Sequence, residues 1–140
     1  MRVLATILAA LTIAIAAQAG TLDAKLIRAS ADLQQTDSDL LDFRPKLHKL
    51  FGYDHYRQLG HRSEQLSDGA RRLLNLGEGF TIFVTPKAAG DKTHTVELEW
   101  YSGKVSLIKS TIKLNEKSPV FIKGPEVGKD WIILALTIQP

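Results

Sequence analysis

The sequence predicts an α+β domain, mainly an antiparallel β-sheet or sandwich with one short amphipathic helix, after an N-terminal signal peptide. Three observations carry this expectation. From Tyr53 onward, apolar and polar residues alternate in short runs separated by Gly-containing reversals. Leu40 to Phe51, with apolar residues spaced by threes and fours, is the one convincing helix. The closing run Trp131 to Ile138 is apolar on both phases, as a central strand covered on each side would be.

Residues 1–19 read as an address. Met1-Arg2 is a short charged start, Val3 to Ala16 is apolar, and Ala17-Gln18-Ala19 is a small-x-small cleavage site before Gly20. The apolar run falls short of the roughly 20 residues of a membrane-crossing helix. Residues 20–140 form one domain by length, with no transmembrane span once the signal is removed. The chain has no cysteine. It therefore lacks the acylated cysteine of a bacterial lipoprotein and has no disulfides, although an oxidising compartment would permit them. An exported protein, periplasmic or extracellular, is the expectation.

Leu22 to Ser30 is assigned as a strand, with Leu22, Ala24 and Leu26 on one face, and polar Ala31 to Asp39 as a loop. The helix follows. Leu40, Phe43, Leu47, Leu50 and Phe51 share a face; Pro45 restricts the start to near Asp42, a candidate cap; Gly52 can end it. Strands are then expected over Tyr53–Leu59 and His61–Leu66, the latter facing Arg71–Leu76 in a hairpin across Asp68-Gly69. Gly77-Glu78-Gly79 reverses the chain into Phe80–Thr85, and Pro86–Lys92 reads as a loop.

In Thr95–Tyr101, Val96, Leu98 and Trp100 share one face and Glu97 and Glu99 the other. A two-residue turn at Ser102-Gly103 would set Trp100 opposite Val105 and Leu98 opposite Leu107 in the next strand, which runs to Leu114. Val120–Ile122 joins the closing strand through a loop at Gly124–Gly128.

Composition limits the chemistry. The formal charge of +3 falls by one when Arg2 is removed, and the remaining Lys and Arg are dispersed, which argues against nucleic acid. No G-x-S-x-G, P-loop or H-E-x-x-H is present, and no thiol is available. Glu97 and Glu99 read as cross-strand partners of Lys104 and Lys109. No enzymatic activity and no cofactor are expected. Tyr53, Tyr56 and Arg57, at the end of the helix, have the composition of a partner-binding surface.

Two alternatives stand beside this reading. His48, Asp54, His55 and His61 supply the ligand types of a metal-binding protein or metal-dependent hydrolase. His55 to His61 spans about 20 Å of extended chain, so convergence requires a fold-back at Gly60. Arg71, Arg72, Lys109 and Lys113 would form a polyanion-binding surface if one face gathered them.

The run Leu47-x-x-Leu-Phe-Gly-Tyr-x-x-Tyr-x-x-Leu59, the Leu-Gly-Glu-Gly-Phe turn at 76–80 and the ending Pro119-Val-x-Ile-x-Gly-Pro…Ile-Leu-Ala-Leu136 together carry a likeness. They resemble short exported bacterial envelope proteins of unknown function, over nearly all of residues 20–140. The ending faintly resembles that of secretin-type outer-membrane domains, but Gly124-Pro125 stands where the secretin pattern has a glycine pair. The resemblance implies a periplasmic or surface module: an interaction or accessory subunit whose partner is a protein of the cell envelope or of an extracellular assembly. It supplies no catalytic residues.

Overall fold

The computed structural model describes residues 18–140, with side chains from Gly20 onward. The expected signal peptide therefore lies outside the described residues, apart from the backbone of residues 18 and 19. Among the described residues, eight strands form two antiparallel four-stranded sheets, with one short α-helix, so the α+β sandwich expected from the sequence is the observed architecture. No helix among the described residues is long and apolar enough to cross a membrane.

The first sheet contains β1 (Gln18–Ala29), β2 (Tyr56–Ser67), β7 (Val120–Val127) and β8 (Asp130–Gln139), in the order β2-β1-β8-β7. The second is a meander of β3 (Arg72–Gly77), β4 (Phe80–Ala89), β5 (Thr93–Ser102) and β6 (Val105–Asn115), in chain order. β1 and β8 pair without a break from Thr21↔Gln139 to Ala29↔Trp131, so the two ends of the domain close on one another.

Strand periodicity builds two cores. Leu22, Ala24 and Leu26 of β1 and Ile132, Leu134, Leu136 and Ile138 of β8 face Leu74, Ile82, Leu98 and Trp100 of the second sheet. The opposite phase, Ile27, Ala29, Ile133 and Ala135, packs beneath Leu40 and Leu47. β8 is thus buried on both faces, as its unbroken apolar run implies.

The helix, α1 (Arg44–Phe51), covers that outer face. Gly52 ends it at φ 81°, donating its N–H to the His48 carbonyl at 2.8 Å. Its start differs from the expectation. Leu40 belongs to a separate 3₁₀ turn (Ser38–Leu40), Phe43 precedes the first helical residue, and no side chain caps it. Leu50, expected on the buried face, is 55% exposed, because so short a helix touches the sheet only along Leu47 and Phe51.

Five further expectations are corrected. Tyr53–Leu59 and His61–Leu66 belong to the single strand β2, in which Leu59 is an extra residue between the Gln58 and Gly60 pairs. Asp68-Gly69 turns the chain between sheets instead of closing a hairpin, since β2 is paired along its length with β1 and β3 pairs with β4. β4 runs through Pro86 to Ala89; β3 pairs with it only as far as Val84, so no ladder bond is lost at Pro86 on that side.

The β5–β6 turn residues are Gly103 and Lys104. Leu107 is an extra residue there, setting Trp100 opposite Ile108 and Leu98 opposite Ser110. Finally, β7 continues through Gly124-Pro125 with a register shift, which an edge strand tolerates. At Gly124 the Trp100 ring lies where a β-carbon would be, with Cζ3 only 2.7 Å away.

Where the sheets meet on the β2–β3 side, Gly60 lies against the Leu76 backbone. A β-carbon there would overlap the Leu76 carbonyl oxygen and sit 2.8 Å from its carbon. Backbone cannot yield as a flexible side chain does, so Gly60→Ala is expected to destabilise the domain by about 3 kcal/mol or more. Gly90→Ala meets its nearest atom at 3.6 Å and should change stability by no more than about 0.5 kcal/mol. Urea unfolding of the two variants checks the contrast.

Candidate functional site

Inner-face positions of a sandwich are normally apolar. At one end of this one, three adjacent strands break that pattern. Arg28 continues the phase of Leu22, Ala24 and Leu26 in β1; Asp130 continues that of Ile132 and Leu134 in β8; Arg57 pairs directly with Arg28 from β2. Instead of a closed core, this end holds a cleft of about 600 Å³. The first sheet supplies Arg28, Arg57, Leu59, Val127, Asp130 and Ile132, and the second supplies Phe80, Ser102 and, from its first turn, Glu78.

The charges in the cleft are unevenly satisfied. Arg28 forms an ion pair with Asp130, whose side chain is only 13% exposed. The Ser30 hydroxyl, followed by the Arg28 guanidinium, holds the Asp130 carboxyl below its ordinary value of 3.8. Arg57 is exposed and makes no ion pair or side-chain hydrogen bond among the described residues. Its cross-strand neighbour is another arginine, an arrangement that is unfavourable without a counter-ion. Ion binding or recognition of a charged group is the chemistry this arrangement suits.

The three residues expected to form one contact surface are divided. Arg57 faces the cleft, whereas Tyr56, one residue away, takes the opposite phase and is fully buried beneath α1. Burial pushes the Tyr56 phenol up to about 12. Tyr53 packs partly buried against the same outer core. Tyr56 is therefore a packing residue, because it lies opposite Ala29 on the helix-covered face.

The histidine group is also dispersed. His48 Nδ1 lies 2.9 Å from the Tyr53 carbonyl oxygen and 3.5 Å from Asp54 Oδ1; His55 Nδ1 is 3.4 Å from Thr36 Oγ1. His61 pairs with Asp23 on β1. Among the described residues, no three His, Asp or Glu side chains converge as metal ligands would.

The basic residues fall on both edges of the second sheet. Arg71 contacts Glu99 at 3.1 Å and lies 3.7 Å over the Phe83 ring, while Lys109 approaches Glu97 at 4.0 Å. Glu97 also pairs with Lys87 at 3.4 Å. The Tyr101 hydroxyl donates to Glu99 and, with Arg71, holds that carboxyl below the usual range. These acids are cross-strand partners as expected, although Lys87 and Arg71 stand where Lys104 was anticipated. Arg72 and Lys113 sit on β3 and β6, three strand spacings or roughly 14 Å apart.

Sequence reasoning missed Arg28, Glu78, Phe80, Ser102 and Asp130. A signal for two of them was present: Arg28 and Asp130 each extend an apolar alternation with a charge. No known protein family, curated protein or solved structure matches the chain.

Two expected outcomes follow from this geometry. Tyr56→Ala should destabilise the domain by about 3–5 kcal/mol through lost core volume, measured by chemical denaturation. Because the folded-state pKa of Asp130 is lowered, its stabilisation is complete above 3.8 and fades as pH falls through the lower folded value. The difference in Tm between the native protein and Asp130→Asn should therefore be steady near neutrality and shrink in acid. A difference that persisted unchanged through the acid range would contradict the role given to Asp130.

Proposed function

We propose that the chain is a non-enzymatic exported protein of the cell envelope, an interaction or accessory subunit that binds a protein partner at the open end of its sandwich. One observation carries the reading: Arg57 sits in a cleft without an ion partner among the described residues, beside an arginine whose own charge is already matched by Asp130. A charge set at a partly apolar opening suits recognition better than stability, because truncating it removes no buried contact. The leader-like residues 1–19 and the likeness to short exported envelope proteins support a periplasmic or extracellular setting.

The contact surface is Arg57 with the cleft rim, with Glu78 and Val127 bordering it. Tyr53 and Tyr56 have no place in it, since they lie on the helix-covered face of the first sheet. The pairing of Arg71 with Glu99 and of Lys109 with Glu97 leaves the second sheet less suited to a polyanion.

A C-terminal tag lies at the far end of β8 from the cleft and does not obstruct it. Co-purification from cross-linked native envelopes should recover one stoichiometric envelope partner. Arg57→Glu should lower that recovery by about tenfold or more, as reversal of an interfacial charge does, with the unfolding midpoint unchanged. Recovery of a lone monomer from the soluble fraction, or equal capture by the variant, would refute the reading.

A further inference from the structure

We propose that the cleft at the Arg57 end of the sandwich is a binding site for a carboxylate carried on an apolar group. The inference rests on the Arg57-centred site described above and names the chemistry of what enters it.

The charge comes first. Arg28 and Arg57 are direct cross-strand partners, so each raises the positive potential felt by the other. Asp130 neutralises only Arg28, to which it is ion-paired. The Asp130 side chain is only 13% exposed, so its charge is directed at Arg28 within the cleft wall. Arg28 and Asp130 thus satisfy one another, which leaves Arg57 as the cleft's cation without an ion partner among the described residues. A guanidinium presents a planar fork of N–H donors that matches the two oxygens of a carboxylate.

Shape and polarity narrow the ligand further. Leu59, Phe80 and Ile132 line the cleft with apolar surface, and its volume of about 600 Å³ lies within the range of small-ligand sites. Leu59 reaches it as the extra residue of the β2 bulge, a device that re-aims a side chain out of the ladder. Two carboxylates, Asp130 and Glu78, also line the cleft. They oppose a second negative charge, so a monoanion with an apolar body fits and a phosphate dianion does not. Two sources share this chemistry: the C-terminal carboxylate of a polypeptide ending in an apolar residue, and a free aliphatic acid.

The test is an NMR titration of the isotope-labelled purified protein with N-acetyl-leucine, octanoate and N-acetyl-leucinamide. Both acids, or the one from the true source, should shift the signals of Arg57, Leu59, Phe80 and Ile132, and the neutral amide should not. Arg57→Gln should weaken the acid by about tenfold or more, the expected effect of losing a charge-assisted fork. Its unfolding midpoint should hold or rise, because a like-charge pair is relieved. Tighter binding of N-acetyl-leucine assigns the site to a chain terminus, and tighter binding of octanoate assigns it to an aliphatic acid.

Equal binding of acid and amide, undiminished binding by Arg57→Gln, or no shift at millimolar acid would each overturn the proposal. The two readings fail separately. Capture of an envelope partner through Arg57 by a protein that ignores both acids overturns the carboxylate assignment and leaves the accessory role standing. Acid binding with no partner captured overturns the accessory role alone.

Discussion

The pairing of β1 with β8, and the burial of β8 on both faces, set the terms for every other element. In the absence of cysteine no disulfide cross-links the chain, and this ladder joins the beginning of the described domain to its end. Full burial of each Ile or Leu side chain contributes roughly 1.5–3 kcal/mol, against a backbone ordering cost of about 1–2 kcal/mol per residue. Ile132, Leu134, Leu136 and Ile138 meet the second sheet, whereas Ile133 and Ala135 need cover on the opposite side. The α1 helix exists to supply that cover. Eight residues without a side-chain cap would not hold a helix alone, so its stability is borrowed from the sheet beneath it.

The same two-residue period that organises the core also produces the cleft. Arg28 and Asp130 occupy positions which, a few residues farther along each strand, hold Leu26, Ile132 and Leu134. Their ion pair at the end of the sandwich keeps partial contact with water, which limits the desolvation that fully buried charges incur. The sheets consequently close over Trp100 and Leu134 but remain open at Arg57, and the transition occurs within a single strand. Trp100 fixes the spacing from within, packed against Phe80 with ring centroids 6.0 Å apart and seated over Gly124.

Charged residues on the second sheet have a different role. Among the described residues no helix covers its outer face, and Arg71, Phe83, Tyr101 and Glu99 form one cluster through ring, cation and hydroxyl contacts. Phe83 and Tyr101 meet edge to face at 5.7 Å, which buries ring surface that would otherwise meet water. Lys87 and Lys109 flank Glu97 in the same way. Glu97 and Glu99 are thus internal partners of Lys87, Lys109 and Arg71, and each such exposed pair contributes at most about 1 kcal/mol.

Much of this was legible in the residues themselves, because local signals act locally. Alternation fixed which residues of β5 and β8 face inward; threes and fours marked the helix; Gly52 and Gly77-Glu78-Gly79 adopt the positive φ their turns require. What pairs with what was decided only by the tertiary structure. The Asp68-Gly69 turn can serve a hairpin or a corner between sheets, and the difference lies in β1, which pairs with β2 from far along the chain. An extra residue at Leu59 or Leu107 shifts every later side chain to the other face, and no local preference announces it. Tyr56 and Arg57 show the consequence most clearly. Adjacent in sequence and similar in composition to an interface, they are sent to opposite faces of one sheet, the first into the core and the second into the cleft. Local pattern is enough to mark the alternating faces of β5, the existence of the helix and the doubly buried closing strand. Strand order and register, which are contacts between distant residues, decided where a site could form.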